Sequence, residues 1–144
     1  MDNKTLYSML AFAGVVPFLA CALLPLAGVV SLPLFGPLDE VIAGYGLAII
    51  AFLTGIHWAT FLYRQDDVPF NLMITSNVVF LAVWFAYAIG TLSVALMVQL
   101  VAFVVILIID GRLSATGLIT GHYLRIRSVA TALAAVSLAI VLVR

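Results

Sequence analysis

From Pro69 to Ile109 the sequence stays apolar for about 40 residues. A helix crossing a hydrocarbon core of about 30 Å needs roughly 20 such residues, and inside lipid every backbone polar group must be satisfied within its own segment. The stretch is therefore long enough to cross a bilayer twice. The one break in it is Gly90-Thr91-Leu92-Ser93, which predicts a tight helical hairpin. Composition agrees with a lipid solvent. Of the 144 residues 66% are hydrophobic and 8% charged, against about a quarter charged in an ordinary soluble domain. The 6 basic and 6 acidic side chains cannot clothe a water-facing globule.

The same length criterion divides the rest of the chain. A first span is expected at about residues 6–24, with Pro17 inside it, where the missing N–H predicts a bend near Ala13 and Gly14. Leu6 to Leu26 is long for a signal peptide and carries no clear small-residue cleavage site, so it is read as a helix. Residues 25–37 are rich in Pro and Gly yet apolar, which predicts a loop in the membrane interface. A second span, about 41–63, follows Asp39 and Glu40, whose charges suit a helix N-terminus. Spans at about 70–90, 93–109 and 128–143 complete a single all-α domain of about five transmembrane helices over residues 1–144. The last is short, about 24 Å at 1.5 Å per residue, so either Arg127 and Arg144 snorkel at its ends or the bilayer thins locally. A four-span alternative lays that helix on the surface.

Basic residues are retained on the cytoplasmic side. With five spans Lys4, Arg64, Arg112, Arg125 and Arg127 share one side and Arg144 stands alone on the other. The N-terminus is expected inside and the C-terminus outside, in a bacterial cytoplasmic (inner) membrane or, in a eukaryote, the mitochondrial inner membrane.

Several polar groups lie within or beside the spans. His57 falls about 10 Å deep, on one helix face with Thr54, and at a depth that lets it hydrogen-bond Asn77 across the turn between spans two and three. An intramembrane ionisable residue is a pathway or ligand candidate by default; the plain alternative is a neutral histidine tying two helices together for about 1 kcal/mol. Ala51, Gly55 and Ala59 form a small-residue stripe on a different face, fit for close helix packing. On the inner side Trp58, Asp110, Arg112, His122, Arg125 and Arg127 make a candidate site for a lipid head group or a partner, set against a purely topological role for the arginines. Gln99 and Ser76 are read as helix-to-helix glue. Cys21 has no second cysteine and is read as a small hydrophobe.

Several function classes drop out. Zero net charge without a basic run argues against nucleic acid. No metal site is assigned, because a lone intramembrane histidine lacks the further ligands. No cofactor and no catalytic residue is assigned either: the chain has no Gly-x-Ser-x-Gly elbow, His-Glu-x-x-His pair or phosphate loop. Five spans do not divide into the matching halves of an inverted-repeat transporter.

Gly14-x-x-Pro17-Phe18, Tyr45-Gly46, Phe52-x-x-Gly55-x-His57-Trp58, Asp110-Gly111-Arg112-Leu113 and Tyr123-Leu124-Arg125-Ile126-Arg127 together resemble the pattern of the transmembrane protein 69-like family. These are small bacterial and mitochondrial inner-membrane proteins built around a domain of unknown function. Asp110-Gly111-Arg112 departs from the Asp-Arg or Asp-Lys pair of that pattern. The resemblance implies an inner-membrane setting and marks His57, Trp58, Asp110 and Arg125 as positions to test; it brings no reaction. The leading expectation is an accessory, assembly or scaffolding subunit of a larger respiratory or photosynthetic complex, with membrane lipids and other subunits or a homo-oligomer as partners. The others are a lipid- or quinone-binding protein or membrane enzyme using the inner-side cluster, and an oligomeric channel or proton-linked transporter around His57.

Overall fold

The computed structural model describes residues 2–144. Among the described residues five helices are long and apolar enough to cross a membrane: α1 (Asn3–Leu23), α2 (Leu38–Arg64), α3 (Leu72–Ile89), α4 (Leu92–Ala115) and α5 (Gly121–Val143). Their starts follow from capping chemistry. Asp2, Asn71, Thr91 and Thr120 each accept a backbone N–H from the first turn of the helix that follows, satisfying donors that have no intrahelical partner. α2 begins instead behind Pro37, with Asp39 and Glu40 in its first turn.

Two helices extend past the limits that charge alone implied. α4 continues through Asp110 and Arg112 to Ala115, and Leu113 on its buried face is 1% exposed. α5 begins at Gly121 rather than near Ser128, because Thr120 caps it and the segment Tyr123–Arg127 coils rather than extends. At 23 residues it is about 34 Å long, ample for a span without thinning the bilayer. Arg127 consequently does not snorkel; it turns into the bundle.

The helices form a closed ring in chain order, with α1 also packed on α5, and α2 and α4 touch across the middle. That cross-contact divides the interior into a trio, α2/α3/α4, and a quartet, α1/α2/α4/α5. α1 rests chiefly on α5 and only lightly on α2, so the quartet is loosest along the α1–α2 seam. The main core runs from Phe18 and Ala22 through Ile42, Ile50, Leu96, Phe103 and Leu138. Pro17 sits inside α1, where its missing N–H leaves the Ala13 carbonyl without its helical donor. The neighbouring carbonyl, Gly14 O, accepts the Tyr45 hydroxyl at 2.8 Å.

At the end opposite the N-terminus, residues 31–37 fold into a minimal antiparallel pair, β1 (Ser31–Leu32) with β2 (Gly36–Pro37). Its tip presents Leu34 and Phe35, exposed and apolar, as a segment resting in an interface would. Arg144 Nη2 donates to Asp39 Oδ1 at 2.9 Å and ties the end of α5 to the start of α2.

Candidate functional site

Three ionisable side chains from three helices meet inside the quartet. Asp110 on α4 is the hub: its Oδ1 lies 2.9 Å from His57 Nε2 on α2, and its Oδ2 accepts from Arg127 Nε on α5 at 3.3 Å. All three residues are buried. Because Nε2 faces a carboxylate oxygen, it carries the hydrogen and donates; Nδ1 has no partner. Each member lies between one and two turns from the end of its helix on the side of the N-terminus, about 7 to 10 Å deep at 1.5 Å per residue. Asp110 and Arg127 neutralise one another, which is the condition for keeping either charge in a low-dielectric interior.

Arg127 is not saturated by this pairing. Its Nη2 is buried without a partner, and one turn further along α5 the Thr131 hydroxyl is buried without one as well. That is unusual within this molecule, since Ser8, Thr54, Thr60, Ser128 and Ser137 all return their hydroxyls to the carbonyl four residues back. Both Arg127 and Thr131 line a cavity of about 380 Å³ between α1, α2 and α5, with Phe103 of α4 among its lining. Its remaining walls are almost wholly apolar, among them Val15, Phe18, Leu53 and Ala134. Leu10 on α1 and Phe52 on α2 also line it and are 63% and 67% exposed. The cavity therefore reaches the outer surface of the bundle along the α1–α2 seam, where lipid would surround it.

The other expected site residues are distributed differently. Asn77 does not reach His57: it is exposed, and its Nδ2 donates to Met73 O in its own helix at 2.7 Å. Thr54 is buried beside His57's turn and bonds back to Ile50 O. Trp58 and the arginines Arg112 and Arg125 lie on the exposed surface, away from the Asp110 pairing. His122, also exposed, packs its ring against Tyr7 at 5.7 Å, with Ser8 Oγ 3.5 Å from its Nε2. The stripe Ala51, Gly55, Ala59 is not used within the bundle: Gly55 and Ala59 are exposed, and nothing lies within 4 Å of a Cβ built on Gly55. Gln99, by contrast, is fully buried and donates from Nε2 to Ala43 O at 2.7 Å, joining α4 to α2. Among the described residues no three His, Cys, Asp or Glu side chains converge as a metal site would need.

Arg127 and Thr131 as a pair went unread in the sequence, although a signal for them exists. Tyr123, Arg127 and Thr131 recur every four residues, which places them on one helical face, and all three line the cavity.

The arrangement occupies nearly the whole chain, and so does its family match: residues 3–143 correspond to the protein of unknown function family DUF3429. The chain belongs to that family. No curated protein and no solved structure matches this DUF3429 chain. For a DUF3429 protein the chemistry must accordingly be read from the site itself. An apolar cavity lined at one point by Arg127 and Thr131, beside a charge-balanced carboxylate, is equipped to hold a greasy molecule with a polar end.

Proposed function

We propose that this DUF3429 protein is a membrane-embedded binding protein for a quinone- or lipid-like molecule, which enters from the bilayer between α1 and α2. The observation carrying this reading is the cavity of about 380 Å³, apolar along its length and bordered at one point by Arg127. Ligand sites have this make-up: mostly apolar walls with a few placed polar groups. The buried Asp110 then positions the arginine, and His57 completes the carboxylate's hydrogen bonding. The test is extraction in native nanodiscs followed by mass spectrometry of what remains bound. A stoichiometric apolar species is expected with the natural chain and lost on Ala11→Phe, which puts a phenyl ring at a cavity-lining position of α1; no retained species, or equal retention by both proteins, sinks the reading.

A second reading, an accessory, assembly or scaffolding subunit of a larger respiratory or photosynthetic complex, has its own support in the uncovered Gly55–Ala59 face of α2. Small residues let another helix approach closely in lipid. Co-migration with large subunits on native gels, abolished by Gly55→Leu, is its expected signature.

The proposed setting is the bacterial cytoplasmic membrane, or the mitochondrial inner membrane in a eukaryote, with the N-terminus inside. The support is the bias of Lys4, Arg64, Arg112 and Arg125 to one end of the bundle.

A further inference from the structure

The cavity reading leaves open which polar end the ligand carries, and the charges around Arg127 decide between classes. Resting on that reading, we propose that Arg127 Nη2 and Thr131 Oγ1 form a two-donor subsite for an uncharged carbonyl oxygen on an apolar tail, such as a quinone or a fatty ester, and that the site disfavours anions.

Both atoms are buried without partners, belong to cavity-lining residues, and stand one helical turn apart on α5. A buried donor left unmet costs free energy that an acceptor on a ligand recovers. Two N–H or O–H donors one turn apart suit the two lone pairs of a single carbonyl oxygen or two neighbouring acceptors. An arginine in a cavity would ordinarily predict a carboxylate or phosphate ligand. Here the positive charge is already spent on Asp110 at 3.3 Å. His57 is turned to the same carboxylate through Nε2 at 2.9 Å and is not among the residues that line the cavity. An anion entering beside the Arg127–Asp110 pair would bring an unbalanced charge into an apolar enclosure, where a lone charge is heavily penalised. A carbonyl brings none.

The donors can be tested without disturbing the ion pair. Thr131→Val keeps the shape and removes only the hydroxyl; Thr131→Ser restores it. The protein would be held in an alkyl maltoside micelle, which supplies no carbonyl, and titrated with a decyl-tailed benzoquinone, methyl palmitate and hexadecyl sulfonate, whose charge is fixed. Both carbonyl probes are expected to bind more tightly than the sulfonate. Thr131→Val is expected to weaken them about 3- to 10-fold, the worth of one hydrogen bond, and Thr131→Ser to restore them. Tighter binding of the benzoquinone identifies a quinone-type ligand, tighter binding of the ester a lipid-type one. If Thr131→Val binds both carbonyl probes as the natural chain does, or the sulfonate binds tightest, while Ala11→Phe still abolishes binding, the carbonyl subsite is wrong and the cavity reading stands. If no probe binds, both fail.

Discussion

Arg127 Nε meets Asp110 Oδ2 at 3.3 Å, and the two residues, 17 apart in sequence, reach each other only because α5 folds back along α4. Removing one partner of a buried ion pair leaves the other uncompensated, which costs about 3–5 kcal/mol, whereas replacing both with apolar groups is often neutral or stabilising. Asp110→Asn is therefore expected to lower the thermal midpoint in mild detergent sharply. Asp110→Leu with Arg127→Leu should recover part of that loss, the remainder being the hydrogen bond that His57 Nε2–H gives up. A double variant as unstable as the single one would mean that the pair is needed for more than charge balance.

His57 stands second in this order. Its Nε2–H is one hydrogen bond to a carboxylate, worth about 1.5–3 kcal/mol, and the ring is also packed, 2% exposed. His57→Leu should accordingly destabilise less than Asp110→Asn. Asn77→Ala, by contrast, removes only an exposed bond within α3 and should change stability by less than about 0.5 kcal/mol. The same melting series checks all three, and an Asn77→Ala loss as large as that of His57→Leu would contradict the pairing.

The contrast between His57 and Asn77 shows what could be read from sequence. That the chain carries about five apolar helices follows from length and composition, because lipid admits no other backbone arrangement for such segments. The depth of His57 follows too, since rise per residue is fixed. Its partner does not follow: depth along a helix leaves rotation and neighbour order free, and Asn77 at matching depth faces away. Charge misplaced the helix limits for a physical reason. Asp110 and Arg127 look like interfacial residues when each is considered alone, and only their mutual neutralisation lets both helices carry them inward. The periodicities through Leu113 and through Tyr123, Arg127 and Thr131 hold the correct answer. The cavity itself is a property of how loosely α1 meets α2, and no local pattern encodes that.

Gly46 and Gln99 give a test of the α2–α4 cross-contact that divides the interior. A Cβ on Gly46 would collide with Gln99 Oε1, and Gln99 is held in place by its bond to Ala43 O. Gly46→Ala should destabilise by about 1–3 kcal/mol, the usual cost of overpacking, even though alanine is the better helix former. Shortening the opposing side chain relieves the clash. Gly46→Ala with Gln99→Ala should therefore cost less than the sum of the two single changes, a coupling that denaturation of the four proteins would measure. Strict additivity would show that the two side chains do not meet.

Orientation in the membrane is open to a direct test of the proposed N-in, C-out arrangement. The ends of the bundle differ in basic residues. Lys4, Arg64, Arg112 and Arg125 share one end, whereas Arg144 is alone at the other and is engaged with Asp39. Because basic residues within 15–20 residues of a span are what hold a loop inside, a reporter fused after Arg144 should lie outside. Alkaline phosphatase placed there should be active and a fluorescent protein dark, with the reverse pattern for both placed in the turn at residues 116–120. Exchanging Arg64, Arg112 and Arg125 for Gln should then produce a mixed population, because the bias is carried by few charges and each contributes a large share. If the fusion after Arg144 is fluorescent and lacks phosphatase activity, the proposed direction is wrong, and the exposed Leu34–Phe35 tip lies on the inner face instead.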